Sequence, residues 1–329
     1  MEQRALRLER AVRLYAIVVT VYLVLALTTA ERLPPVLLLG QFRAWVLLGA
    51  SLPLVFAFSL RRRWCAAGLV LALAVGLVQY HRPLGQTLGI VETLQAEAKP
   101  PDLRIESWNL GLGRASNEEA LKHLERTLAE VVALQEIVND QQAFLREHAS
   151  TVFPHQVFFG EGRSSLGLLS KHELRDVEWN EPKSGKPWLT AKIYVDGTGI
   201  RIVNIHVSAL ISIFGPWWDD HAVLESIAQT HSPGEPSILL GDFNGTESSG
   251  EYALLEDASW RNAFDAAGHG FGFTFPVFLK YRGLPIPPAV RIDHIWIKGA
   301  VEARSFRVGP AAGSDHLPIV ADLVLGAAD

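Results

Sequence analysis

The stretch that decides the fold is SILLGDFNGT, residues 237–246. Ser237 to Leu240 favour a buried strand, which Gly241, Asp242 and Asn244 then end with a carboxylate and a carboxamide two positions apart. Alternate residues of an extended segment share a face, so Asp242 and Asn244 point the same way if strand geometry persists. Gly, Asp and Asn are also ordinary turn residues whose side chains bond their own backbone. Taken alone, the stretch reads most simply as a turn.

The same ending recurs along the chain. LRIESWNL (103–110) alternates like a strand and carries Asn109 at its end, VVALQE (131–136) stops on Glu136, and GIRIVNIH (199–206) stops on His206. RIDHIWIKG (291–299) opens on Asp293, and Asp315 with His316 stands just before the strand LPIVADLVL (317–325). These are either six independent turns or one pocket at one rim of a sheet. SLGLLS (165–170) and PWLTAKIYV (187–195) add strands, DGTG (196–199) is a hairpin turn, and 301–308 is another strand. Ser116 and Glu119 spell a capping box that opens a helix over 116–130, and further helices are expected over 219–230 and 249–257.

Composition divides the chain. Of 329 residues, 49% are hydrophobic, and the long apolar runs fall in the first 82. Residues 14–30, 44–60 and 64–80 are uncharged runs at the short end of the roughly 17–25 residues that cross a bilayer, and they predict three transmembrane helices. Arg4, Arg7, Arg10 and Arg13 before the first run, and Arg61 to Arg63 between the second and third, place both clusters in the cytoplasm. That topology expects an integral membrane protein, in a bacterium the cytoplasmic membrane, with everything after Tyr80 outside. The expected organisation is an anchor over 1–82, a linker over 83–102 ending at Pro100 and Pro101, and a catalytic domain over 103–325. Residues 1–99 hold 11 Lys and Arg against 5 Asp and Glu, a balance of +6; the remaining 19 against 30 give −11. Such acidity argues against an avid, non-specific nucleic-acid binder. The single cysteine, Cys65, excludes an intrachain disulfide.

Carboxylates and carboxamides without cysteine form a hard-oxygen site, suited to Mg²⁺, with Mn²⁺ or Ca²⁺ as alternatives. Such a cation stabilises charge when water attacks a phosphate ester. Asp242 suits the base, Asn244 a donor to a phosphoryl oxygen, and His316 or His206 a donor to transition-state oxygens. Asp293 suits the carboxylate that orients His316; its neighbour His294 faces the other way in a strand.

The ordered set WNL (108–110), LQE (134–136), NIH (204–206), GDFN (241–244), RIDHI (291–295) and SDHLP (314–318) resembles the endonuclease/exonuclease/phosphatase superfamily. The TFP at 274–276 is most similar to bacterial members with N-terminal membrane helices. The resemblance spans about residues 103–325. It implies an α/β fold, a four-layer α/β sandwich of two packed β-sheets flanked by helices. It also implies Glu136 as main metal ligand with Asn109 and Asp315 nearby, Asp242 activating water, Asn244 on the phosphate, and His316 paired with Asp293. His206 matches a general acid of some branches. Gly111 departs from the pattern, because some nucleases carry an acidic ligand just after the WN.

The reading that follows is a membrane-anchored, metal-dependent phosphoesterase whose favoured substrate is a lipid-headgroup phosphodiester. Its partners are the bilayer and the phosphate-ester substrate, and the sequence implies no obligate protein partner. SALISIFGPWWDD (208–220) is apolar enough to form a lip touching lipid, and Phe271, Phe273, Phe275 and Phe278 suggest the same. An extracytoplasmic nuclease and a catalytically silent membrane receptor are the competing readings.

Overall fold

The computed structural model describes residues 2–29, 34–59, 61–88, 100–209, 217–229, 234–277, 280–281 and 284–326. The chain divides into two compact units, the first essentially residues 1–94, the second 95–247 with 251–329.

The first unit is helical: α1 Glu2–Thr29, α2 Pro34–Gln41, α3 Arg43–Leu48, α4 Ser51–Ser59, α5 Arg63–Gln79 and α6 His81–Thr87. Val19, Tyr22, Leu47, Leu69 and Ala72 form its core. Among the described residues, no helix is long and apolar enough to cross a membrane, and the three expected spans are not borne out. The apolar part of α1, Leu14 to Thr29, rises only ~24 Å, and the 17 residues of α5 only ~26 Å, against a hydrocarbon layer of ~30 Å. The expected span over 44–60 breaks in two at Gly49 and Ala50, whose N–H groups close onto Trp45 O and Leu47 O in a turn. This unit nonetheless keeps an apolar exterior. Among the described residues, every exposed large hydrophobic side chain except Leu128 and Tyr194 lies between Leu6 and Leu88.

The second unit holds β1 Leu103–Asn109, α7 Asn117–Arg126, β2 Val131–Gln135, α8 Asn139–His148, β3 His155–Phe159, β4 Leu166–Ser170, β5 Arg175–Asn180, β6 Trp188–Val195 and β7 Thr198–His206. It continues with α9 Trp217–Gln229, β8 Ser237–Asp242, α10 Gly250–Asp257, β9 Arg261–Asn262, α11 Ala263–Ala267, the short pair β10 Lys280–Tyr281 and β11 Leu284–Pro285, then β12 Asp293–Lys298, β13 Val301–Val308 and β14 Ile319–Leu325. The Ser116 capping box is present, with Glu119 bonding back to the Ser116 N–H, but α7 stops at Arg126. Two six-stranded sheets result, ordered β13-β14-β1-β2-β4-β3 and β5-β6-β7-β8-β12-β9.

Burial explains the layering. In β2, Val131 and Ala133 enter the core between the sheets, while Val132 and Leu134 pack outward against Leu124 and Leu145 of α7 and α8. In β8, Ile238 and Leu240 face inward, and Leu239 packs outward with Leu224 of α9 and Leu255 of α10. Strands covered on both faces must be apolar throughout, which is why these segments read as runs rather than as alternation. Helix, sheet, sheet and helix therefore stack as an α/β sandwich.

Each sheet contains one parallel pair, β1 with β2 and β7 with β8. Parallel strands end at the same rim, so Asn109 comes level with Gln135, and His206 level with Asp242. Antiparallel β12 starts where β8 ends, which sets Asp293 opposite Asp242.

Candidate active site

Strand parity aims most of the site. Ile105 and Asn109 share a face of β1, as do Ile202 and His206 on β7, Leu240 and Asp242 on β8, and Ile295 and Asp293 on β12. The apolar member of each pair lies in the core between the sheets. The polar members thus continue that core row to its rim, where Asn109, His206, Asp242 and Asp293 are all buried. Glu136 is the exception, since it follows Gln135, which occupies the inward position. Its backbone is left-handed, φ +54°, and this brings Glu136 Oε1 within 3.7 Å of His206 Nε2. A left-handed glutamate carries strain that its surroundings must hold in place.

Asp242 is the hub. Its Oδ1 accepts from the Asn244 N–H at 2.9 Å, and its Oδ2 accepts from Asn109 Nδ2 at 2.9 Å and from Asn244 Nδ2 at 3.3 Å. Both readings of GDFN therefore hold at once: one carboxylate oxygen closes the turn and the other faces the site. Asn244, at φ +48°, also donates to Val207 O at 2.8 Å. Gly241, at φ +147°, admits no side chain, for a Cβ there would lie 2.0 Å from Ile205 O.

His316 lies between two carboxylates. Its Nδ1 is 3.0 and 3.2 Å from the two oxygens of Asp293, and its Nε2 is 3.7 Å from Asp242 Oδ2. Burial opposes the charged imidazole, but Asp293 and Asp242 outweigh it and hold His316 up at about 10. His206, by contrast, is driven down to about 4 by burial, although Asp242 pulls the other way. It stands neutral, with Nε2 3.6 Å from Asp242 and 3.7 Å from Glu136. Burial raises both Asp242 and Glu136, and Glu136 rises further beside Asp242. His294 takes no part: it points outward, its Nε2 donates to Gly245 O at 2.8 Å, and its Nδ1 accepts from Asn262 and Arg291.

Ligand-type atoms of Asp242, Asp293 and His316 lie within 4.8 Å of one another. The Asp293–His316 contact is a hydrogen bond, so a proton links that pair. The carboxylate of Glu136 is crowded by Asp242 and Asp315, with His206 Nε2 at 3.7 Å and Arg163 at 4.0 Å. Oxygen donors without sulfur fit a hard divalent cation there. The departure at Gly111 finds its reason here. Gly111 has φ +66°, and a Cβ would meet Asp315 Oδ1 at 2.4 Å, so the Asp315 carboxylate fills the space a side chain at 111 would need. Arg114 pairs with Asp315 at 3.1 Å.

The structure thus gathers Asn109, Glu136, His206, Asp242, Asn244, Asp293, Asp315 and His316 at one rim. Trp108 Nε1 donates to His316 O, and Ser314 Oγ donates to Asn109 O, which lock the SDHLP loop onto β1. The TFP segment closes the other side, with Phe275 4.7 Å from the His316 ring and Leu317 N–H donating to Thr274 O. Residues 210–216 of the apolar stretch and Phe278 lie outside the described residues. Sequence reading missed Lys186 and Asp220. Lys186 Nζ donates to Arg163 O at 2.8 Å, and burial lowers its pKa. Buried Asp220 accepts the Lys186 and Ser208 backbone N–H groups, tying two loops beside His206. Neither sits at a strand end, so no pattern marks them.

A sequence model of the Endonuclease/Exonuclease/phosphatase family matches residues 107–316. No curated protein matches the sequence. Among solved structures, a family protein from Leptotrichia buccalis C-1013-b is 16% identical with a TM-score of 0.53, over 67% of this chain and 99% of that one. A Bacteroides vulgatus member is 20% identical with a TM-score of 0.53, over 68% and 98%. A mannosyl-6-phosphatase of Bacteroides thetaiotaomicron VPI-5482 is 14% identical with a TM-score of 0.52, over 68% and 100%. Likeness at these identities shows the shared fold. With the family match spanning most of the chain and the sandwich agreeing with it, the chain belongs to the endonuclease/exonuclease/phosphatase family and is a hydrolase of ester bonds of that class.

Proposed function

We propose that the chain is a divalent-cation-dependent phosphodiesterase whose favoured substrate is a lipid-headgroup phosphodiester, reached from a membrane in which the helical unit seats itself. The hydrolytic part is carried by one observation: the buried Asp293–His316–Asp242 line, with Asn109, Asn244 and His206 around the same Asp242 carboxylate. Glu136 and Asp315, with Asn109 beside them, would hold Mg²⁺ or a similar hard cation, which when bound offsets the charge that develops on the phosphate. Asp242 takes the proton of the attacking water. Charged His316, oriented through Nδ1 by Asp293, presents Nε2–H to a phosphoryl oxygen. Asn244 keeps its bond to Val207 O and releases the longer 3.3 Å bond to Asp242 to reach the phosphate. Neutral His206, with Nε2 3.6 Å from Asp242, takes on the water proton that Asp242 has accepted and passes it to the leaving oxygen, which leaves both groups as they began.

The membrane and lipid parts rest on the apolar exterior of residues 6–88, on the arginine clusters, which suit an anionic bilayer surface, and on the −11 balance of residues 100–329, which disfavours a polyanion. The test is a hydrolysis panel with Mg²⁺ over DNA, RNA, sphingomyelin, glycerophospholipids, phosphoinositides and a soluble diester, with Asp242→Ala and His316→Ala as controls. Hydrolysis of a phospholipid diester that both variants abolish supports the proposal. Cleavage of nucleic acid alone makes the chain a nuclease, and inertness equal to that of the variants makes it a receptor.

A further inference from the structure

We infer that the turn joining α4 to α5 is a binding site for one anionic phospholipid, with its phosphate on Arg61 and Arg63 and an acyl chain in the groove beneath. The inference rests on the membrane seating proposed above. The turn is tight: the Arg61 N–H donates to Phe58 O and the Arg62 N–H to Ala57 O, with Arg61 left-handed at φ +54°. Three consecutive guanidinium groups are thereby held at one end of a helical hairpin. Glu9 of α1 pairs with Arg62, but it also pairs with Arg13, so one carboxylate serves two cations. Among the described residues, Arg61 and Arg63 have no carboxylate partner.

Beneath them runs a groove of about 300 Å³ lined by Ala57, Phe58, Ala66, Ala67 and Val70, with Arg61 to Arg63 at its mouth. That volume is at the lower end of ligand pockets, roughly 300–1,000 Å³. Alanines on facing helices keep the groove open, and arginines leave two charges over it uncompensated. An apolar protein segment would fill the groove but leave both guanidinium groups unpaired. A free inorganic anion would neutralise them but leave the groove unfilled. A molecule with an anionic head and a hydrocarbon tail satisfies both, and guanidinium matches phosphate oxygens in a bidentate fork. The first turn of α5 adds to the attraction, since no side chain caps it at Arg62. Basic clusters at a membrane surface act in this way on acidic lipids.

The test uses the full chain in a neutral detergent, titrated with phosphatidylglycerol or with phosphatidylcholine of the same acyl chains, with bound lipid counted by native mass spectrometry. The expected result is one retained phosphatidylglycerol, held at least tenfold more tightly than phosphatidylcholine, a conservative expectation for two charges at such a surface, roughly thirtyfold at full strength. Arg61→Gln/Arg63→Gln should erase that preference while leaving the Arg62–Glu9 pair in place. Ala67→Phe, which fills the groove and keeps every charge, should weaken retention as well. Equal retention of both lipids overturns the inference. So does phosphatidylglycerol retention lost in the arginine variant but undiminished in Ala67→Phe, which would mean diffuse surface charge. Flotation with neutral and with anionic vesicles separates the two readings: a chain that floats without preferring the anionic lipid sinks this inference alone. A chain that floats with neither vesicle type sinks the membrane seating and this inference with it.

Discussion

At the scale of single residues, the contact between Asp293 and His316 makes the sharpest demand. Both carboxylate oxygens lie within 3.2 Å of Nδ1, so the proton on Nδ1 is fixed and Nε2 is aimed toward Asp242. Asp293→Asn replaces an acceptor with a group that can also donate, which permits the wrong tautomer. We expect kcat on a soluble diester to fall by about 10²–10⁴ with little change in KM, read by steady-state kinetics at saturating Mg²⁺. The same pair sets a pH dependence of stability. An imidazole near 6.5 in the unfolded chain is held at about 10 in the fold, so the folded state keeps a proton that the unfolded state releases between those values. The stabilisation is complete below about pH 6.5 and is lost as pH rises through about 10, at no more than ~1.4 kcal/mol per pH unit. Urea unfolding in the presence of a chelator should show that decline, and Asp293→Asn should make it shallower. An unchanged slope in the variant would mean that Asp293 does not hold the charge.

At the scale of elements, the two parallel pairs carry the site, and a polar clamp keeps their sheets aligned. Asn204 of β7 donates to Leu134 O at 3.0 Å and Gly167 O at 2.9 Å, both in the other sheet, and accepts from Gln135 Nε2 at 2.8 Å. Both side chains are fully buried, one residue before Glu136 and two before His206. Asn204→Leu removes three buried hydrogen bonds, each worth about 0.5–1.5 kcal/mol, and leaves the Gln135 amide short of an acceptor, at a cost of about 1–3 kcal/mol. We expect a loss of about 3 kcal/mol or more in chemical denaturation, with reduced activity at temperatures where the variant is still folded. This clamp marks the limit of what the sequence discloses. Asn109, His206, Asp242 and Asp293 were legible because an apolar run with period-two geometry fixes the direction of its last side chain. Gln135 and Asn204 obey the same parity, but a polar residue inside an apolar run gives no sign of which strand of the other sheet receives it. Glu136 was legible as a polar strand end, but its direction was not, since parity would aim it outward and its left-handed backbone is a tertiary effect; its role as a ligand came by resemblance. The helix over 139–148 and the strands over 155–159 and 175–180 are too polar or too exposed for burial to imprint a period on them.

At the scale of the whole molecule, the two units bury separate cores and carry opposite balances of charge, +6 over residues 1–99 and −11 over residues 100–329. The apolar runs of the first unit were legible as candidate membrane segments, whereas the break at Gly49 and Ala50 was not, because a glycine within an apolar run is equally at home in a helix and in a turn. If the helical unit seats in a bilayer, its contribution to catalysis is concentration rather than chemistry. Every residue around Asp242 belongs to the second unit, so a chain of residues 100–329 should fold cooperatively and hydrolyse a soluble diester within about threefold of the full-length rate. On vesicles containing the lipid substrate the outcome should differ. Tethering converts encounter with the surface into an intramolecular event, worth roughly 10²–10⁴ in effective concentration, and the truncated chain loses that factor. Parallel assays on soluble diester and on vesicles, full chain against residues 100–329, read the two terms apart. A truncation that loses both activities equally would show that the helices support the fold of the second unit. One that loses neither would remove the membrane from the enzyme's function.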